Sequence, residues 1–225
     1  GYWYYFAGKP SAEALAWVYD RGSWYWMGAS GAMATSEWVN DGTGWYYVDA
    51  SGRLAGSGWM WESGSWYYLT GGRMTEGWLL DRGTWYYMDS RTGAMRTGWV
   101  QVDDRWYYFE PSGAMVTGWL RSDGAWYYLS GRGAMVAGWL LDHGTWYYMD
   151  SRTGAMRTGW VQVDDRWYYF EPSGAMATGW LNSGDSWYYM SANGAMSTGW
   201  LNDRGAWYYM DSTGVMVTGT VAIDG

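Results

Sequence analysis

The chain has 225 residues with a formal net charge of -8, and it carries 23 Trp, 23 Tyr, 35 Gly, 15 Met, one His and no Cys. Leu, Ile, Val and Phe together number only 27, a scarcity that would signal disorder but for the Trp and Tyr rings, each able to bury about 150–250 Å². This inventory excludes a disulfide framework, a thiolate metal site and a Cys nucleophile, and 14 basic against 22 acidic residues argues against phosphate-led nucleic-acid binding.

No apolar run approaches the ~18 residues of a membrane span, and no basic segment followed by an apolar one marks a signal peptide. The sequence opens at Gly1 directly in an aromatic run and reads as a mature product or a piece of something longer. From there a triplet Trp-Tyr-Tyr, or a close variant, begins at Trp3, Trp24, Trp45, Trp66, Trp85, Trp106, Trp126, Trp146, Trp167, Trp187 and Trp207. A second series, usually preceded by Gly, falls at Trp17, Trp38, Trp59, Trp78, Trp99, Trp119, Trp139, Trp160, Trp180 and Trp200. Each second-series Trp lies seven residues before the next triplet, whereas the return spacing is 12, 13 or 14. The seven-residue piece is therefore the rigid unit and the other a linker.

A Gly-Trp-Leu strand, a tight turn and a Trp-Tyr-Tyr-Met strand read as a β-hairpin, closed by a polar, Gly-containing linker. One hairpin of ~20 residues is marginal alone, so stacking on its neighbours must supply the core. The reading is all-β, one repeat domain over residues 1–225 with about ten to eleven hairpin units. Residues 1–16, where Lys9 to Ala16 replaces the usual linker, form an atypical N-terminal unit, and residues 220–225 a C-terminal cap, Thr220 standing where the next Trp is due. Residues 77–120 and 138–181 are identical except at Arg82/His143 and Val116/Ala177, a copied block of three repeats.

Alternation along a strand puts the triplet Trp and second Tyr on one face, and the first Tyr and Met on the other. The first Tyr and the Met are expected to be core. The tryptophans and second Tyr are expected to face a ligand, because Leu and Val make better-defined cores and Trp is rarely fully buried. Rings and glycines recur between units while the polar residues vary, from Ser23 through Arg105 to Ala206 ahead of the triplets. A site reading sugar hydroxyls would need the same donors in each copy. A quaternary ammonium needs none, being held by ring quadrupoles, with a polarizable Met wall in an acidic chain.

The motif G-W-x(6)-W-Y-Y-[LMF] followed by G-A-M-x-T-G, complete at 98–118 and 159–179, resembles the choline-binding repeats of bacterial cell-surface proteins. The resemblance implies a left-handed solenoid of β-hairpins with choline held between successive hairpins, and attachment to phosphocholine-bearing teichoic acids outside the cell. It implies cages made from the two Trp of one repeat and the second Tyr of the following triplet. Carried over, these are Trp17, Trp24 and Tyr47; Trp38, Trp45 and Tyr68; Trp59, Trp66 and Tyr87; Trp78, Trp85 and Tyr108; and Trp99, Trp106 and Tyr128. The rest are Trp119, Trp126 and Tyr148; Trp139, Trp146 and Tyr169; Trp160, Trp167 and Tyr189; and Trp180, Trp187 and Tyr209. Met33, Leu54 and Met74 would complete the first three. Trp26 departs by replacing the second Tyr of its triplet, Trp3 has no partner before it, and the pair Trp200 and Trp207 has no following Tyr.

Three rings at about 0.5–2 kcal/mol each, less the cost of association, predict roughly millimolar binding, raised by repetition along a polymer by about 10²–10⁴. No cofactor is called for, and no catalytic set or metal-ligand spacing stands out. His143 replaces Arg82 of the copied block and reads as turn drift; Asp103-Asp104 and Asp164-Asp165 read as solvated turn residues; Asp89 and Asp150 read as turn formers. A carbohydrate-binding array and a structural surface fibre are the alternative readings.

Overall fold

The computed structural model describes residues 16–219. The expected cap at 220–225 and, Ala16 apart, the expected N-terminal unit lie outside them. Among the described residues there is no helix, and ten antiparallel hairpins follow one another. The first joins Ala16–Asp20 to Ser23–Met27 and the last Gly199–Asp203 to Ala206–Met210. The chain divides into two compact units, Gly1–Val116 and Thr117–Gly225. Within each, hairpins stack in chain order as a solenoid.

The seven-residue spacing has a direct structural cause. In Gly118–Ser122 and Ala125–Leu129, Trp119 pairs with Tyr128, Leu120 with Tyr127 and Arg121 with Trp126, leaving two residues for the turn. Asp123 and Gly124 both take positive φ, 49° and 81°, the type I′ geometry whose twist matches the flanking strands. Asp103-Asp104 and Asp164-Asp165 occupy the same two turn positions, all with positive φ, where Asp is tolerated in place of Gly. The second hairpin differs: between Glu37–Asn40 and Trp45–Val48 the turn is longer, and Asp41 accepts the Thr43 hydroxyl and N–H.

The linkers join hairpin to hairpin. Each linker Met or Leu bridges its own triplet strand, as Met95 does with Met88 and Met176 with Phe170. Its N–H also reaches the carbonyl of the preceding triplet Trp: Leu54 to Trp24, Met95 to Trp66, Met115 to Trp85, and Met156, Met176, Met196 and Met216 to Trp126, Trp146, Trp167 and Trp187, all at 2.7–2.9 Å. Under this backbone lies the core. The residue that closes each triplet strand is wholly buried at Val48, Met88, Phe109, Leu129, Met149, Phe170, Met190 and Met210, as expected for the strand Met. The first Tyr of the triplet, expected to share that burial, is only half-buried, and its place is taken up below.

Gly113 carries a second constraint besides its φ of 83°: a Cβ there would collide with the Met95 side chain of the preceding linker. Gly124 has a similar φ but open space around it. Gly124→Ala is therefore expected to cost about 1–2 kcal/mol in backbone strain, and Gly113→Ala roughly 1–3 kcal/mol more from overpacking. Denaturant unfolding of the two variants measures the difference, and equal midpoints would mean the Met95 contact contributes nothing.

Asp89 and Asp150 organise linker turns. Asp89 Oδ1 accepts the Arg91 and Thr92 N–H groups and the Thr92 hydroxyl, and Asp150 does the same with Arg152 and Thr153. These donors, led by the Arg91 N–H for Asp89 and the Thr153 N–H for Asp150, hold both carboxyls below their ordinary pKa. A lowered folded-state pKa contributes stability that is present above the unfolded value of about 3.9 and is lost as pH falls through the folded value. The double variant Asp89→Ser, Asp150→Ser is expected to be less stable than wild type at neutral pH, the gap narrowing below about pH 3. Thermal unfolding at both pH values checks this.

Candidate functional site

Cross-strand register sorts the rings onto two faces. Because Trp119 lies opposite Tyr128 and Arg121 opposite Trp126, Trp119, Trp126 and Tyr128 share one face; Leu120, Tyr127 and Leu129 share the other. Within a unit, the two-Trp face of one hairpin meets the first-Tyr face of the next. Trp119 and Trp126 stand 6.4 Å apart with planes at 86°, and Tyr147 of the following hairpin reaches Trp119 at 4.8 Å.

The arrangement recurs. Trp59 lies 6.4 Å from Trp66 and 4.8 Å from Tyr86, and Trp78 lies 6.1 Å from Trp85 and 4.8 Å from Tyr107. Trp139 has Trp146 at 6.0 Å and Tyr168 at 4.8 Å; Trp160 has Trp167 and Tyr188; Trp180 has Trp187 and Tyr208. Trp38 meets Tyr67 at 5.0 Å, and Trp17 meets Tyr46 at 5.3 Å. A cavity of about 360 Å³ opens between Trp139, Trp146, Tyr168, Met176 and Asn193. Another, of about 280 Å³, lies between Trp38, Trp45, Tyr67, Met74, Arg91 and Thr92. The triplet tryptophans keep 41% to 46% exposure from Trp24 to Trp187, so one ring of each pair stays accessible.

The tyrosine differs from the sequence expectation. The second tyrosines Tyr47, Tyr68, Tyr87, Tyr108, Tyr128, Tyr148, Tyr169, Tyr189 and Tyr209 each pack edge-on against the Gly-Trp tryptophan of their own hairpin, at 5.2–5.3 Å. They stand on the two-Trp face. The face presented to the preceding hairpin has the opposite parity, so the residue that reaches back is the first Tyr. The linker contact shifts as well, by one repeat: Met74, not Leu54, lines the Trp38 and Trp45 cavity, and Leu54 is tied to Trp24. Met33 bridges Met27 instead. In the triplet where Trp26 replaces Tyr, Trp26 packs edge-on to Trp17 at 5.1 Å and is buried. Trp200 and Trp207 pair at 6.3 Å.

A set of carboxylates went unnoticed in the sequence. At several hairpins the third residue after the Gly-Trp tryptophan, the last of its strand except at Asp41 in the longer turn, accepts the indole N–H of the preceding hairpin. Trp17 donates to Asp41 at 3.1 Å, Trp59 to Asp81 at 3.0 Å, Trp119 to Asp142 at 2.9 Å and Trp180 to Asp203 at 3.0 Å. Trp160 donates to the Ser183 hydroxyl, and at Glu62 the donor is the Tyr47 hydroxyl. The Trp119 donor, followed by His143, holds the Asp142 carboxyl below its ordinary range. Burial, then the bond to Glu62, raises the Tyr47 phenol. The signal in sequence was the third residue after each Gly-Trp tryptophan, which is Asp, Glu, Ser or Val. His143 itself is 93% exposed and lies 3.0 Å from Asp142. Among the described residues no group of three or more His, Cys, Asp or Glu suited to a metal occurs and no helix is long and apolar enough to cross a membrane.

Comparison with known proteins bears on this geometry. The choline-binding repeat matches residues 13–53, 96–132, 121–158 and 157–198, and the putative cell wall binding repeat matches 76–95 and 198–216. CbpJ from Streptococcus pneumoniae TIGR4 superposes with a TM-score of 0.85 at 32% identity, over 99% of this chain and 96% of that one. The chain belongs to the choline-binding-repeat family. Choline binding protein F of S. pneumoniae gives a TM-score of 0.78 at 30% identity, over 93% of this chain and 88% of that one. The modular autolysin LytC of S. pneumoniae gives 0.68 at 32%, over 90% of this chain but only 46% of its own length. No curated protein sequence matches. The choline-binding repeats thus span both units.

Proposed function

We propose that the chain is a non-catalytic cell-wall-binding module whose inter-hairpin cages hold the trimethylammonium groups of choline on a cell-wall polymer at the bacterial surface. The observation that carries this reading is the recurring set of two near-perpendicular indoles closed by a Tyr and, in the cavities seen, a linker Met. Such a cage offers ring faces and polarizable sulfur to a cation that has no N–H to donate. Membership of the choline-binding-repeat family supports the same ligand.

The proposed ligand-facing residues are the two Trp of each hairpin with the first Tyr of the next: Trp17, Trp24 and Tyr46; Trp38, Trp45 and Tyr67; Trp59, Trp66 and Tyr86; and Trp78, Trp85 and Tyr107 in the first unit. In the second they are Trp119, Trp126 and Tyr147; Trp139, Trp146 and Tyr168; Trp160, Trp167 and Tyr188; and Trp180, Trp187 and Tyr208. Each cage binds at about the millimolar level. Several cages engaging phosphocholine-bearing teichoic acid multiply that by avidity, so repeat number sets the strength of attachment. A catalytic or adhesive domain joined to such a module would be held at the wall by it.

Calorimetry with choline, tetramethylammonium and a glucan oligosaccharide tests the ligand. Saturable millimolar binding of the two cations and none of the glucan is expected; the reverse result would establish a carbohydrate array, and silence from all three a structural fibre. The choice of tyrosine has its own test. In crystals soaked with choline, density between Trp139 and Trp146 is expected to vanish in Tyr168→Ala and to persist in Tyr169→Ala. Loss in the second variant alone would restore the second Tyr as the cage wall.

A further inference from the structure

The inter-hairpin sites share their rings but not what stands behind them. At four sites an aspartate of the next hairpin accepts the Gly-Trp indole N–H (Asp41, Asp81, Asp142 and Asp203), and Glu62 accepts the Tyr47 hydroxyl beside Trp38. At one the acceptor is the neutral Ser183 hydroxyl. At the Trp78 and Trp139 sites the same strand position is Val102 and Val163, which cannot accept. Val102 instead joins Val100 and Phe109 in an apolar cluster against Trp78, and Phe170 approaches Trp139 as Phe109 does Trp78, at 5.9 Å. The charge also turns over: the residues opposite Val102 and Val163 in the register are Arg105 and Arg166, whereas Asp81 and Asp142 face Thr84 and Thr145.

A cation held on an indole face feels the ring's negative potential. A carboxylate hydrogen-bonded to the N–H edge of that ring deepens it twice over, by drawing the N–H dipole toward the anion and by placing a net negative charge behind the ring. Across roughly one ring's width in half-solvated surroundings, a unit charge changes the affinity for a monovalent cation by about three- to tenfold. A neutral ligand of the same shape gains nothing from the charge.

We propose that the third residue after the Gly-Trp tryptophan is a specificity determinant that grades the cage of the hairpin before it within the same unit, so that carboxylate-backed sites hold the trimethylammonium cation most tightly, the Ser183-backed site less so, and the Val102- and Val163-backed sites least. The proposal rests on the cation reading of the same cages. The aspartates and Ser183 act through the indole and Glu62 through the Tyr47 ring; they are positioning residues, and the carboxylates among them supply charge. The copied block, 77–120 and 138–181, sets one weak site in each unit, so a multivalent attachment has strong and weak contacts interleaved along it.

The test compares choline with its neutral carbon isostere, 3,3-dimethylbutan-1-ol, on the full chain by calorimetry. In the triple variant Asp81→Asn, Asp142→Asn, Asp203→Asn the side-chain oxygen still accepts the indole N–H but the charge is gone. Choline affinity at those sites is expected to fall about three- to tenfold with stoichiometry kept, while the isostere binds as to wild type. Parallel weakening of both ligands would reduce the aspartates to ring supports and overturn the proposal, as would no change in either. If the triple variant loses its circular dichroism signal, the decision passes to Val102→Asp, Val163→Asp. A gain for choline without a gain for the isostere supports the proposal, and no gain overturns it. Wild type that binds no choline at all is a separate result: it removes the cation reading, and this grading with it.

Discussion

Everything in the array depends on one contact, the edge-to-face meeting of a Gly-Trp indole with the first triplet Tyr of the next hairpin. At 4.7–5.0 Å in seven of the sites, edge-on in all but the tilted Trp38–Tyr67 pair, it is close enough for the ring quadrupoles to favour a steep angle between the rings. That geometry leaves indole faces uncovered. The contact that stacks the hairpins and the cavity between them are therefore one construction, and stabilising the array also shapes the site.

Backbone and side chains divide the labour. The linker Met N–H to Trp carbonyl bonds fix the spacing between hairpins, and the wholly buried Met, Phe, Leu or Val at the triplet's end supplies a small core to each. Because those elements share the stacking with the ring contact, the triplet tryptophans need not be fully buried and remain half-exposed. Local connections of this kind give a protein built from nearest-neighbour terms, where copying a block adds sites without redesigning a core. The duplicated block has done so, and it carried its Val and Phe substitutions along with it.

Much of this was legible in the chain. The constant seven-residue spacing marks a tight hairpin, which closes through a two-residue turn everywhere among the described hairpins except between Asn40 and Trp45, where the turn is longer. Alternation put the strand Met with the first Tyr on the face expected to be core; the Met is buried there and the Tyr only half-buried. Alternation also placed the second Tyr beside the two tryptophans of its own hairpin, and the structure keeps it there. Which Tyr crosses to the neighbouring hairpin was not legible, because parity within a strand is silent about which face meets which neighbour. The linker offset escaped for the same reason: Met74 lies between Trp66 and Trp78 in sequence yet lines the cavity of Trp38 and Trp45.

The sequence by itself determined the repeat, the hairpin, the turn chemistry, the two-faced strand and the family, since each is set by spacing within about twenty residues. Tertiary structure alone decided which Tyr packs on the indole of the preceding hairpin, Tyr46 on Trp17 and Tyr147 on Trp119, and which acceptors stand at the indole edges. Those depend on how one hairpin is rotated and displaced against the next. Asp81 lies 22 residues from Trp59, and only stacking brings a hydrogen-bond acceptor that far along the chain to within 3.0 Å of the ring.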